Sequence, residues 1–132
     1  MARRKIAIPP DLRPRLERAR LDSLALFRAL DRLDLTPYEI PQRLLRTLFE
    51  LDADCAEALY ALDQPRHTSK LKAMLQHTQV SLDKIPLARK RLRQRLPERV
   101  LPRLHTLEAA IHAALDSREA YNDIPGRDPQ IS

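Results

Sequence analysis

One glycine, one cysteine and no tryptophan occur among the 132 residues of this chain, and each scarcity removes a class of protein. A single glycine, Gly126, cannot supply the positive-φ corners of a meander of tight hairpins. It also removes any glycine-rich phosphate loop. The lone Cys55 rules out an intrachain disulfide and fits a reducing compartment. Aromatic residues make up only 4% of the chain, so a core built from it is aliphatic. No apolar run approaches the roughly 20 residues of a membrane span. Arg3, Arg4 and Lys5 precede Ile6-Ala7-Ile8, but Pro9 and Pro10 end that run too early for a secretory signal. The expected location is cytoplasmic, with no membrane partner. Catalytic groups are scarce too: no serine sits in a glycine-flanked elbow, and Cys55 has no histidine near it in sequence. No catalytic residue, cofactor or metal is expected.

What is abundant is Leu, Ala, Arg and Glu, all strong helix formers, punctuated by 11 prolines. Leu12, Leu16, Ala19, Ser23, Leu26, Leu30 and Leu33 recur at alternating spacings of four and three, which predicts a helix over 11–33 with one apolar face. Thr36, Pro37 and Glu39 carry the signature of a second helix start, reopened or bent at Pro41. Leu44, Leu48, Leu51, Cys55, Ala58 and Leu62 repeat the rhythm, which turns Cys55 toward the core, and Pro65 ends that helix. Thr68 or Ser69 can cap a third, striped by Leu71, Leu75, Thr78, Leu82 and Ile85 and bent or restarted at Pro86. Pro97 and Pro102 are each a first-turn residue or a kink, and Val100, Leu104, Leu107, Ile111, Ala114 and Tyr121 mark the last stripe. The pattern predicts a single all-α domain over 1–132: an antiparallel bundle of four to five helices, with a basic arm at 1–10 and an irregular tail at 122–132.

Charge supplies the functional candidates. The net charge is +6, and the excess is concentrated. Residues 84–103 hold Lys84, Arg89, Lys90, Arg91, Arg93, Arg95, Arg99 and Arg103 against Glu98 alone. On a helix, Ile85, Ala88, Leu92 and Leu96 fall within an arc of roughly 80°, leaving almost all the remaining circumference cationic. Such a surface meets phosphates or acidic protein. No aromatic interleaves with the arginines to stack bases, and no helix-turn-helix can be placed. The acidic counterpart is residues 50–63, which contain no Lys or Arg. There Glu50, Asp54 and Glu57 share one helix face with Arg43 and Arg46, and Arg46 is placed to pair with Glu50. His105, Glu108 and His112 also share a face, but the motif occurs once, whereas a bundle-core metal site needs it twice.

Two readings follow. The first is a non-catalytic helical interaction or adaptor protein whose charged helix surfaces bind a protein partner or another copy of itself. The alternative is a phosphate-directed, weakly sequence-specific RNA- or DNA-binding protein using residues 84–103.

Overall fold

The computed structural model describes residues 8–122, with side chains to Ser117; the basic arm residues Arg3, Arg4 and Lys5, the side chain of Tyr121 and the tail beyond Asn122 lie outside the described residues. The described residues fold as an all-α bundle of five helices: α1 (Leu12–Asp31), α2 (Gln42–Leu62), α3 (Ser69–Leu82), α4 (Lys84–Arg95) and α5 (Leu101–Asn122). Short 3₁₀ turns at Pro37–Glu39 and Glu98–Val100 precede α2 and α5.

Each boundary has a local cause. The capping box at Thr36 and Glu39 forms in both directions, but it caps the 3₁₀ turn, not α2. Pro41, which cannot donate a backbone hydrogen bond, then serves as the cap residue from which α2 restarts, its carbonyl accepting from Leu45 N at 3.0 Å. Thr68 caps α3, its hydroxyl accepting from Leu71 N at 3.2 Å. Pro86 lies in the first turn of α4, where its missing donor is not needed, so only Asp83 separates α3 from α4. Pro97 follows α4 directly, and Pro102 again occupies a first turn, of α5.

α1 packs against α2 and α5, and α2 packs in turn against α3 and α4. The ion pair Arg13–Asp63 joins the start of α1 to the end of α2, and Arg20–Asp52 joins their middles, so the two helices run antiparallel. Arg18–Asp116 and Asp22–His112 show the same relation between α1 and α5. All seven positions of the α1 stripe are buried, Leu33 included although it lies just beyond the helix. Leu16, Leu26, Leu48, Leu92 and Cys55 are fully sealed, and Leu12, Leu75, Ile85 and Leu104 are 1% exposed. Each buried leucine contributes roughly 1.5–3 kcal/mol by leaving water. The core is aliphatic, as the composition requires: Tyr38 and Tyr60 stand in solvent, and Phe27 and Phe49 lie outside the buried cluster.

One expectation is corrected and one open alternative is decided. In α5 the inward stripe passes from Ile111 to Leu115, because i+4 and not i+3 keeps the face on α1, and Ala114 is exposed. Of the alternatives at Pro97 and Pro102, the structure divides the basic segment 84–103 into α4, a 3₁₀ turn and the start of α5, with Pro97 breaking the helical bonding and Pro102 in a first turn. Arg99 and Arg103 therefore do not extend the α4 surface.

Candidate interaction surface

The Ile85–Ala88–Leu92–Leu96 edge of α4 is buried throughout, so the cations of this helix emerge on two opposite flanks, with Lys90 on the outward face between them. Arg89 and Arg93 form one flank and turn toward α1 and α5. Arg89 Nη1 lies 3.3 Å from Asp22 Oδ2. Arg93 Nη2 donates to both carboxylate oxygens of Glu108, at 3.0 and 2.9 Å. Arg99 is also engaged, its guanidinium forking onto Glu39 at 2.6 and 2.9 Å. That fork, with the Thr36 backbone N–H that Glu39 also accepts, holds the Glu39 carboxyl down to about 2 and raises the pKa of Arg99 in return. Three of the eight candidate cations are thus already paired with carboxylates of the same chain.

The inner flank ends in a polar network that crosses three helices. Asp22 contacts Arg18 Nε at 3.3 Å, Arg89, and His112 Nε2. His112 Nδ1 lies 3.3 Å from Asp116 and 3.4 Å from Arg18 Nη2. The His105–Glu108–His112 face is therefore divided: Glu108 holds Arg93, His112 sits between two aspartates, and His105 is exposed. Among the described residues no cluster of His, Cys, Asp or Glu could hold a metal ion.

The other five candidates, Lys84, Lys90, Arg91, Arg95 and Arg103, are exposed and enter no ion pair among the described residues. Lys84, Arg91 and Arg95, at spacings of seven and four, fall within roughly 40° of one another on the flank opposite Arg89 and Arg93. Lys84 and Arg91 overhang a groove between α2 and α4, of about 570 Å³, whose far wall carries Glu50 and Asp54. Its floor and shoulders are Leu44, Leu51, Leu87 and Ala88, with Thr47, His77 and Ser81 completing the lining. Leu87 is 49% exposed at the rim. Two of the three acidic-face candidates and two of the basic ones thus meet across one apolar-floored channel, yet no ion pair spans it. Glu57 is exposed one turn further along α2 and does not line the groove. The expected Arg46–Glu50 pair does not form; both side chains line a second cleft with Phe49 on the outer face of α2.

That outer face holds what the charge pattern did not disclose. Phe27 and Phe49 stack with ring centroids 4.2 Å apart, and Phe49 is 53% exposed. Leu21, Leu24 and Leu59 line the neighbouring cleft between α1 and α2. The available signal was a second apolar row, Leu21, Leu24 and Phe27, at a spacing of three behind the stronger core stripe.

Cys55 is sealed in the core of α2. Burial, with Asp52 and Asp54 adding to it, pushes its thiol up to about 11. No described helix is long and apolar enough to cross a membrane. No protein-family model, curated protein or solved structure matches this chain.

Proposed function

We propose that this chain is a non-catalytic helical interaction protein that binds a protein partner through the α2–α4 groove. The observation that carries the reading is the channel itself: an apolar floor between an acidic wall, Glu50 and Asp54, and a basic wall, Lys84 and Arg91. A half-exposed leucine at the rim of a polar-walled groove offers hydrophobic contact, and opposed walls fix the orientation of whatever lies between them.

The phosphate-directed alternative is weaker for a physical reason. Of the eight cations in 84–103, Arg89, Arg93 and Arg99 already hold carboxylates, and Lys84 and Arg91 face Glu50 and Asp54. A nucleic-acid backbone following the Lys84–Arg91–Arg95 row would bring its phosphates alongside those two carboxylates. Like-charge contact of that kind opposes binding.

A photo-crosslinking amino acid in place of Leu87 tests the reading inside cells, with the fully exposed Tyr38 position as control. Discrete protein adducts are expected from position 87 and not from 38, and Lys84→Glu with Arg91→Glu should remove them. No adducts at 87 beyond those at 38, or adducts to nucleic acid alone, would overturn it.

A further inference from the structure

We infer that the occupant of the α2–α4 groove is a second copy of this chain, related by a two-fold axis running along the groove. The inference rests on the interaction reading above and supplies its partner.

Symmetry provides the first argument. In a two-fold dimer the same patch serves both copies, so the patch must complement itself. Most charged patches fail, because rotation lays like on like. The groove does not fail. One wall carries two carboxylates, Glu50 and Asp54, and the other carries two cations, Lys84 and Arg91. Rotation by half a turn about the groove's long axis exchanges left and right but keeps height along the channel. It lays the acidic wall of each copy over the basic wall of the other, matching sign and number. Rotation about an axis across the groove would instead oppose acid to acid and base to base.

Net charge provides the second. Two copies of a chain carrying +6 repel one another over most of their surfaces. They can approach closely only at a face whose own charge cancels, and these opposed walls form such a face. A foreign acidic protein would gain nothing from a neutral channel. It would bind better at a cationic surface with no carboxylate beside it.

Satisfied and unsatisfied charges also separate along the basic segment 84–103. Arg89, Arg93 and Arg99 of the same segment close onto carboxylates within the monomer, whereas Lys84, Arg91, Glu50 and Asp54 face one another across the channel without forming an ion pair among the described residues. In the dimer each gains an opposite charge, while Leu87 and Leu44 of both copies meet over the floor.

The test uses the full chain and two double variants. Glu50→Lys with Asp54→Lys makes both walls positive, and Lys84→Glu with Arg91→Glu makes both negative. Circular dichroism and urea midpoints establish that both remain folded, as expected for changes at exposed and half-buried positions. In sedimentation equilibrium at low salt, wild type should dimerise and each variant should do so at least about tenfold more weakly. An equimolar mixture of the two variants should recover a dimer of one of each, because wholly positive walls then meet wholly negative ones. A monomeric wild type at 100 µM would overturn the inference and leave the Leu87 crosslinks to decide whether another protein occupies the groove. A wild-type dimer that both variants preserve would place self-association elsewhere and equally overturn it.

Discussion

Replacing Asp22 with alanine strikes the polar network that joins α1, α4 and α5, and its cost can be bounded from burial. Asp22 is 24% exposed and holds Arg18, Arg89 and His112. Arg89 is the partner that decides the outcome: its side chain is 14% exposed, and its Nε already lacks a hydrogen-bond partner. Truncation at Asp22 leaves that guanidinium with no carboxylate. Stranding a fully buried charge costs about 3–5 kcal/mol, whereas exposed pairs contribute about 0–1 kcal/mol. At these exposures a loss of about 2–3 kcal/mol is expected. With a urea slope of roughly 1–3 kcal/mol/M for a small domain, the midpoint should fall by about 0.7–3 M with the slope unchanged. Asp63→Ala is the matched control, since the Arg13–Asp63 pair is 43% and 64% exposed and should contribute less than about 0.5 kcal/mol. If Asp22→Ala lies within about 0.5 kcal/mol of Asp63→Ala, the network does not anchor α4 and α5 to α1, and the reason given for Arg89 being unable to bind a ligand fails.

Three further outcomes follow from the same structure. Cys55 is sealed and its thiol pushed up to about 11, so native protein at pH 8 should resist a thiol reagent until it unfolds; labelling at the rate of a free thiol would place Cys55 outside the core. Because that raised value favours the neutral form in the folded state, its stabilisation is complete below about pH 9 and is lost as pH rises toward 11. Cys55→Ala should therefore show a shallower alkaline decline in stability than wild type, by roughly 2–3 kcal/mol across that interval. For Glu39 the sign is opposite: a carboxyl held down to about 2 stabilises above its ordinary 4.5, and that contribution disappears as pH falls from 4.5 toward 2. In an NMR titration of Arg99→Ala, the Glu39 carboxyl should move up toward 4.5, and an unchanged midpoint would show that the Arg99 fork is not the cause.

How much of this was legible in the sequence depends on the range of the physics involved. The Leu12–Leu33 stripe, the inward Cys55 and the narrow Ile85–Leu96 edge were all readable, because helical period and burial are local consequences of residue spacing. The capping box at Thr36 and Glu39 was readable too, though not that it would close a separate 3₁₀ turn before Pro41. Of the two walls of the groove only the acidic one was visible, Glu50 and Asp54 on one helix face, whereas Lys84 and Arg91 were not distinguished from the other cations of their segment. Which flank of α4 would face which helix was not legible, because that follows from how α1, α2 and α5 pack. Arg89 and Arg93, which bracket Lys90 and Arg91 in sequence, are consumed by Asp22 and Glu108 for that reason. The Phe27–Phe49 stack was missed because its row lies behind a stronger core stripe, and the pairing joins two helices.

Zero-length carbodiimide crosslinking of a 1:1 mixture of ¹⁴N- and ¹⁵N-labelled protein tests directly the proposed meeting of two chains at the α2–α4 groove. The reagent joins a carboxylate to an amine only when the two touch. The predicted product is a peptide pair linking Lys84 to Asp54 or Glu50 with one light and one heavy member. Lys84 crosslinks confined to same-isotope pairs, or mixed-isotope pairs that never include the residues of the groove, would contradict it.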